Sequence, residues 1–282
     1  VPLASLSKMM TFLLAIEAIE NKEVKETDKV KIDKSIASVK GSSYKLKDGE
    51  EVPLIELMRG LMIVSGNDAA IAIAKHICKT KEAFVDRMNK KAKEIGMSNT
   101  HFLNPNGLPI YDLSNPKKPA KENISTAKDI AILGKYMFDH YEKQVTAITD
   151  METYTNSDRS FEKSNTNALL RIIPEVDGIK TGYTDAAGKC LLSSAVKDGR
   201  RVIVAVFNST NADLYLDSRI LIDYGFDNFK CATIVDKEKY TDTKKVLFTK
   251  QHELIYEPKN SYRIFLEKDE SQGNYDTKTE LN

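Results

Sequence analysis

The stretch LASLSKMMTFLLAIEAI, residues 3–19, places a lysine at the head of a helix that is otherwise apolar. From Leu6 onward its apolar residues cover more than one face, which predicts a helix buried on most sides. Ser5 and Lys8 are three residues apart, so both side chains are expected on the same face. Burying a lysine is costly unless it is paired or its pKa falls, and a neutral lysine beside a serine hydroxyl is a base beside a nucleophile.

The S-x-x-K spacing alone carries little information, because it occurs six times in the chain. Only the first copy places its lysine inside an apolar run. Its structural alternative is a helix cap at Ser5 with Lys8 extending its charged end to solvent. In another copy, Ser125 and Thr126 are typical of helix caps, with Asp129 completing a capping box.

Composition argues against several classes of protein. The 282 residues carry a formal net charge of +1, and charged residues are spread along the chain, so nothing predicts a nucleic-acid-binding surface. No apolar run approaches the roughly 20 residues of a membrane span, and we expect neither a span nor a signal peptide in this chain. Three cysteines and four histidines stand at no metal-like spacing, so we expect no metal and no cofactor.

The order of the sequence patterns predicts helices first and strands later. Helical spacing dominates residues 54–141, after a small hairpin predicted around residues 48–49. Asp198-Gly199 predicts a second hairpin, which makes the strands on either side antiparallel neighbours. The later strands and the helix after them are predicted at DGIKTGYT (177–184), KCLLSSAVK (189–197), RRVIVAVFN (200–208) and LYLDSRILIDYGF (214–226).

Near Phe229 the pattern changes to alternating apolar and polar residues, which predicts a small β-rich appendage. We therefore predict a main α+β domain at residues 1–229 and a β-rich C-terminal domain at residues 230–282. The polar tail SQGNYDTKTELN, residues 271–282, is expected to fray.

A second candidate site is the stretch VSGNDAA, residues 64–70. Ser65-Gly66-Asn67 forms a polar turn between two apolar helices, where the surroundings are expected to be buried. The structural alternative is simpler, because Asn67 or Asp68 is a typical residue with which to cap the next helix.

A third candidate site is DGIKTGYT, residues 177–184. Lys180-Thr181-Gly182 occurs once in the chain, on a predicted strand. The structural alternative is a strand end with a bulge glycine. A glycine at this position also lets another backbone approach the strand edge, as the binding of an extended peptide requires.

In the order S-x-x-K, S-x-N, K-T-G, the three stretches match the signature shared by penicillin-binding proteins and class A β-lactamases. With ASLSKMMT, SGNDAA, NPNGL and DGIKTGYTDAAG, the chain resembles the D-alanyl-D-alanine carboxypeptidases, a family of low-molecular-mass penicillin-binding proteins, from Ala4 to about Phe229. The resemblance implies a β-lactamase/transpeptidase-like fold, in which a helical block meets an antiparallel sheet, followed by the family's small β-rich domain. Because only residues 1–4 precede Ser5, we also expect the family's N-terminal strands to be missing here.

The resemblance implies a serine-type carboxypeptidase that removes the terminal D-alanine from peptidoglycan stem peptides. Ser5 would attack the carbonyl of the penultimate D-alanine and form an acyl-enzyme, with Lys8 as the base that accepts its proton. Ser65 would relay a proton to the leaving D-alanine. Asn67 would orient the substrate amide and Lys8.

The resemblance also implies the residues that bind the substrate's C-terminal end. Lys180 and Thr181 would face the terminal carboxylate. The backbone N–H groups of Ser5 and Tyr183 would form the oxyanion hole, and Gly182 would allow the close approach of the substrate backbone.

The resemblance names peptidoglycan pentapeptide as the substrate and β-lactam antibiotics as inhibitors. It places the protein outside the cytoplasm, on the outer face of the cytoplasmic membrane, with a peripheral membrane association expected of the full-length protein. Two alternatives stay open. One is a class A-like β-lactamase, for which Glu122 is the only acid we nominate to activate the deacylating water. The other is a non-catalytic peptidoglycan-binding fragment.

Overall fold

A computed structural model of the chain describes residues 1–115, 117–239, 241–245 and 253–271. By contacts, the chain divides into two compact units, Val1–Ile222 and Asp223–Asn282. This division falls ahead of the boundary predicted after Phe229, and the two-domain assignment stays a prediction. Most of the polar tail, from residue 272 onward, lies outside the described residues.

The first unit contains every candidate site residue. Its helices are α1 (Lys8–Glu20), α2 (Lys34–Ala37), α3 (Leu54–Met62), α4 (Asn67–Cys78), α5 (Lys81–Glu94), α6 (Ala127–Thr149) and the start of α7 (Asp213–Asn228). Its strands are β1 (Lys29–Lys31), β2 (Glu51–Pro53), β3 (Thr153–Asn156), β4 (Phe161–Ser164), β5 (Val176–Thr184), β6 (Gly188–Lys197) and β7 (Arg200–Ser209). The second unit contributes β8 (Phe229–Val235), β9 (Asp242–Lys245), β10 (Glu253–Tyr256) and β11 (Tyr262–Glu267).

Helix α1 forms the centre of the core, as its apolar sequence predicts. Every residue from Lys8 to Ala18 is buried, and the helix packs against α3, α4, α5 and α6. Ser5 lies just ahead of it, in a 3₁₀ turn at Ala4–Ser7. A helix buried on all sides can retain a lysine only if its amine finds polar partners inside the fold.

The three-stranded sheet β5-β6-β7 is antiparallel, as predicted. Asp198 and Gly199 have φ values of 52° and 69°, and Lys197 pairs with Arg200 across the turn. Two consecutive positive φ values are those of the tight hairpin turn that favours an Asp-Gly sequence. Among the described residues, β5 is an edge strand of this sheet, and it contacts the Ala4–Ser7 turn.

The hairpin predicted around residues 48–49 is wrong, because the strand after the turn, β2, pairs with a different segment from the one predicted. Strand β2 pairs with β1, with Val52 opposite Val30. The residues expected to pair with β2 are held instead by the buried carboxylate of Asp68, which accepts hydrogen bonds from the amides of Tyr44 (2.8 Å) and Leu46 (3.1 Å). A strand of three residues, such as β1, is too short for its alternation to be recognised in the sequence.

The cap predicted for α6 is correct at one residue and wrong at two. The Thr126 hydroxyl accepts a hydrogen bond from Asp129 N at 3.1 Å. Asp129 does not complete a capping box, because its carboxylate accepts hydrogen bonds from Asn99 N and the Thr100 hydroxyl. Ser125 precedes the cap, and its hydroxyl lies 2.7 Å from the Thr100 hydroxyl.

In the second unit, the described residues form two antiparallel pairs, β8 with β11 and β9 with β10. No helix in the described parts of the chain is both long and apolar enough to cross a membrane.

Candidate active site

The side chain of Lys8 joins Ser5 to the loop that precedes α6. Ser5 is half-buried, whereas Lys8 is fully enclosed. Lys8 Nζ lies 2.7 Å from Ser5 Oγ and 2.6 Å from the carbonyl oxygen of Asn106. The geometry contradicts the structural alternative of a solvent-exposed lysine, and it places a basic nitrogen within hydrogen-bonding distance of a nucleophilic hydroxyl.

Lys8 is enclosed in surroundings that disfavour its charged form. Burial is the main cause, and the positive charge of Lys180 adds to it, so the pKa of Lys8 falls well below its ordinary value. The negative charge of Asp68 acts in the opposite direction but is the smallest of the three effects. A neutral amine can donate to Asn106 and still accept the Ser5 proton.

The carbonyl of Asn106 belongs to the NPNGL loop, residues 104–108, a motif that contributes to the family resemblance but implied no residue role. Asn123 fastens this loop to the nucleophile turn, because its side-chain amide donates to Ser7 Oγ at 2.8 Å and to the Asn104 carbonyl at 2.9 Å. The Asn104 side chain in turn accepts from Gly107 N at 2.7 Å. A backbone acceptor for Lys8 is thus held by asparagine side chains.

Gly107 permits the loop to lie against the nucleophile turn. Its φ is +81°, and a Cβ added to it would lie 1.8 Å from the carbonyl oxygen of Ala4, next to Ser5. We expect Gly107→Ala to cost about 3 kcal/mol of stability, from backbone strain and from displacement of the loop. It should also slow acylation of Ser5 by penicillin, since the displaced loop carries Asn106.

Gly49→Ala is the matched control, because Gly49 has the same φ of +81° but nothing within 4 Å of an added Cβ. It should cost only about 1 kcal/mol and leave acylation unchanged. Thermal unfolding and the rate of adduct formation check both variants. Equal losses in the two variants would show that the contact with Ala4 is unimportant.

Ser65 and Asn67 lie on the turn between α3 and α4. Ser65 adopts a φ of 61° and is buried, and among the described residues its hydroxyl has no hydrogen-bond partner. Asn67 begins α4, but the predicted cap is wrong, because its side-chain amide donates to the Lys40 carbonyl at 2.9 Å. Its buried Oδ1 atom has no partner in the described structure. No hydrogen bond links Ser65 or Asn67 directly to Ser5 or Lys8.

Strand β5 brings the K-T-G residues to the other side of Ser5. Lys180 is buried, its Nζ donates to the Thr181 carbonyl at 3.1 Å, and burial lowers its pKa to about 7. The Thr181 hydroxyl donates to the hydroxyl of Thr166 at 2.8 Å, a contact that the sequence did not indicate. A buried cation beside a hydroxyl on an edge strand is suited to binding a carboxylate.

Gly182 touches the nucleophile turn. A Cβ at this position would lie 3.2 Å from both Ser5 N and the Leu3 carbonyl, closer than most side chains tolerate. The bulge interpretation is wrong here, because the irregularity in the β5–β6 register lies between Val176 and Gly178. The missing side chain brings the Gly182–Tyr183 peptide next to Ser5, where two backbone amides from different elements could stabilise one developing oxyanion.

Glu122, nominated for the β-lactamase alternative, binds elsewhere. Its carboxylate accepts a hydrogen bond from the Thr184 hydroxyl at 3.0 Å, and no described contact joins it to Ser5 or Lys8. Within the described residues, no group of histidine, cysteine, aspartate and glutamate side chains is arranged to hold a metal ion. The site therefore brings together a serine hydroxyl, a buried amine with a lowered pKa and a second lysine, an arrangement that suits acyl transfer.

Comparison with known proteins gives consistent results. The family model described as D-alanyl-D-alanine carboxypeptidase matches residues 1–211. The D-alanyl-D-alanine carboxypeptidase DacF of Bacillus subtilis (strain 168) is 38% identical over 251 residues, which cover 88% of this chain and 62% of that protein. The chain thus spans about three fifths of the length of this curated relative.

Two solved structures show the same architecture. Penicillin-binding protein 5 from Haemophilus influenzae superposes with a TM-score of 0.81 at 29% identity, covering 95% of this chain and 76% of that one. Penicillin-binding protein D2 from Listeria monocytogenes, in its ampicillin-bound form, gives 0.69 at 31% identity, covering 80% and 88%. The predicted β-lactamase/transpeptidase-like α+β fold is confirmed.

Proposed function

The chain belongs to the D-alanyl-D-alanine carboxypeptidase family, and on that premise we propose that it removes the terminal D-alanine from peptidoglycan stem peptides. The observation that carries the proposal is the contact between Lys8 Nζ and Ser5 Oγ at 2.7 Å inside a buried site. Cofactors have no step in this reaction. The family resemblance and the geometry support the following proposed role for each site residue of this chain.

Acylation begins when Ser5 Oγ attacks the carbonyl carbon of the penultimate D-alanine. The hydroxyl proton passes to Lys8 Nζ, whose pKa is lowered by burial and by the positive charge of Lys180, as a general base requires. The carbonyl oxygen becomes an oxyanion that accepts from the amides of Ser5 and Tyr183. The C–N bond then breaks, the leaving D-alanine takes a proton through Ser65, and an ester remains on Ser5.

Deacylation reverses the proton movements. Water attacks the ester carbonyl, its proton passes to Lys8, and Ser5 recovers a proton as the shortened peptide leaves. A β-lactam follows only the first half of this cycle. Its ring amide acylates Ser5, but the cleaved amine stays tethered to the acyl group, so hydrolysis is slow and the drug acts as an inhibitor.

Lys180 and Thr181 are proposed to hold the terminal carboxylate. Because the pKa of Lys180 is about 7, its side chain is charged below that pH and neutral above it. We expect the preference for a free over an amidated C-terminal carboxylate to be about 10-fold at pH 6 and to decline as pH rises through 7. The free-acid and amidated substrates depend equally on Lys8. The ratio of their kcat/KM values therefore reports the contribution of Lys180 alone.

Lys180→Ala provides the control. The preference should disappear at every pH, with the kcat/KM for the amidated donor changing less than that for the free acid. If the variant keeps the preference, or if both donors lose activity equally, then Lys180 does not recognise the carboxylate.

The experiment that tests the proposed function is intact-protein mass spectrometry after incubation with penicillin, with peptide mapping of the adduct, alongside D-alanine release from a pentapeptide. A persistent one-to-one adduct on the peptide that contains Ser5, together with D-alanine release, would support a carboxypeptidase. Rapid penicillin turnover would favour the β-lactamase alternative. Neither adduct nor release, from protein shown to be folded by a cooperative thermal transition, would favour the non-catalytic fragment.

We also propose that the protein works outside the cytoplasm, at the outer face of the cytoplasmic membrane. The support is chemical, since cross-linkable peptidoglycan lies on that side. We propose that any association with the membrane is peripheral.

A further inference from the structure

Asp68 is a buried carboxylate that has no step in the proposed mechanism. It lies in the first turn of α4, directly after Asn67, and is 1% exposed. Its two oxygens accept hydrogen bonds from four uncharged donors: Tyr44 N (2.8 Å), Ala69 N (2.9 Å), Leu46 N (3.1 Å) and Ser43 Oγ (2.6 Å). Burying a carboxylate without a cation beside it is costly, and a neutral asparagine at this position would avoid that cost.

Asp68 fastens the loop of residues 40–46 to the turn that carries Asn67. Asn67 binds the same loop, because its backbone N–H donates to the Ser42 carbonyl at 2.7 Å and its side-chain amide donates to the Lys40 carbonyl at 2.9 Å. Gly66 makes room for this arrangement, since an added Cβ would lie 2.9 Å from Asp68 Oδ1. The position of Asn67, which is proposed to orient the substrate amide, therefore depends on a loop that Asp68 holds.

The negative charge of Asp68 also acts on Lys8. Two charges affect this amine from the elements around it. The charge of Lys180, on β5, favours the neutral form, and the charge of Asp68, on α4, favours the protonated form. On the other helices packed against α1, charged side chains bind partners of their own: Glu56 and Arg59 of α3 bind each other, Lys91 of α5 binds Glu17, and Asp129 of α6 binds Asn99 and Thr100.

We infer that Asp68 is a positioning residue of this active site, which holds the 40–46 loop and Asn67 in place and supplies a negative charge that counters the charge of Lys180 at Lys8. The inference rests on the proposed function, because that reaction gives Lys8 and Asn67 their roles. Asp68 acts through these two residues rather than on the substrate.

Asp68→Asn tests both parts of the inference, because it removes the charge and replaces one acceptor oxygen with an amide group. The readout is the pH profile of kcat/KM for a carboxyl-amidated substrate, which reports the protonation of the free enzyme without carboxylate recognition by Lys180. We expect the plateau of the profile to fall about 10-fold, because Asn67 is less firmly placed.

The acid midpoint of the same profile should move to lower pH, because Lys8 loses the charge that favours its protonated form. At the pH of the wild-type midpoint, where the wild-type value is by definition half its plateau, the variant should retain more than half of its own plateau. The preference for the free over the amidated carboxylate should still decline through pH 7, because burial alone lowers the pKa of Lys180 to about 7.

Asp129→Asn is the matched control. Asp129 is 2% exposed, lies in the first turn of α6, and likewise accepts from a backbone amide and a hydroxyl, those of Asn99 (2.7 Å) and Thr100 (2.8 Å). Its charge is not among those that act on Lys8. The control should lose comparable stability in thermal unfolding but keep the wild-type plateau and midpoint.

Ser43→Ala is a milder variant, which keeps the inference testable if Asp68→Asn protein does not fold. It removes one of the four donors to the carboxylate and leaves the charge in place. The plateau should fall about 3-fold, with the midpoint unchanged. A plateau equal to that of the wild type would overturn the inference.

The remaining outcomes separate this inference from the proposed function. An unchanged midpoint in folded Asp68→Asn protein, or an equal change in Asp129→Asn, would overturn the role of Asp68. The proposed function would still stand if the wild-type protein forms the penicillin adduct and releases D-alanine. Neither adduct nor release from folded wild-type protein would overturn both.

Discussion

We expect Ser5→Ala to abolish both the penicillin adduct and D-alanine release, because Ser5 Oγ is the atom proposed to attack the carbonyl. The loss should be complete within detection, since the ester forms on Ser5 Oγ itself. The fold should survive, because Ser5 is half-buried and Lys8 is the one hydrogen-bond partner of its hydroxyl in the described parts of the chain; Lys8 keeps its contact with the Asn106 carbonyl. Mass spectrometry measures the first effect and thermal unfolding the second.

Ser114→Ala is the matched control for this variant. Ser114 belongs to another S-x-x-K copy, lies exposed in a loop and bonds to Asp112, so its loss should leave the adduct intact. If Ser5→Ala protein still formed an adduct on the same peptide, the buried Ser7 hydroxyl would become the nucleophile and the assignment of Ser5 would fail.

Removing Lys8 is expected to slow acylation about 1,000-fold while the fold is retained, since a general base contributes about 10²–10⁴-fold. Two variants separate the base from its packing. Lys8→Met keeps an unbranched chain of similar length without the amine, whereas Lys8→Ala also leaves a void in the core beside α1. The acylation rate, measured with excess penicillin, should fall by the same factor in both variants. Lys8→Ala should be the less stable of the two.

Wild-type acylation by Lys8→Met protein would mean that another group takes the Ser5 proton. If the acylation rate fell in proportion to the loss of stability, the decrease would be large for Lys8→Ala and small for Lys8→Met. That result would mean that Lys8 acts through packing. Binding of penicillin before the covalent step should be little altered in either variant.

Sequence patterns predicted the parts of the fold that depend on local periodicity. The three strands of the sheet, the Asp198-Gly199 turn and the buried helix α1 were all confirmed. The failure at residues 48–49 has a tertiary cause, because a carboxylate from another helix, Asp68, takes the amides of the predicted strand. A hydrogen bond between elements that are distant in the sequence produces no periodic pattern of apolar and polar residues.

The candidate site residues that belong to sequence motifs were predictable. Lys8 was marked by its apolar surroundings, Ser5 by the S-x-x-K spacing and Lys180 by the K-T-G motif. The role of Asn106 was missed because its backbone carbonyl, common to every residue type, accepts from Lys8. Thr166 was missed because a single threonine that bonds to Thr181 belongs to no motif. The roles of the predicted residues stay predictions until the variants above are measured.

The contact at Gly182 has a consequence for how the molecule assembles. Ser5 and Gly182 are far apart in the chain and meet only where the helical block closes on the sheet edge. Contacts between such distant residues form late in folding, since closing a long loop costs entropy before any contact compensates it. If the amides of Ser5 and Tyr183 form the proposed oxyanion hole, a partly folded molecule with native helices but an undocked sheet lacks it. We therefore expect a fluorescent penicillin to label only completely folded molecules, so that the labelling rate follows the last step of folding.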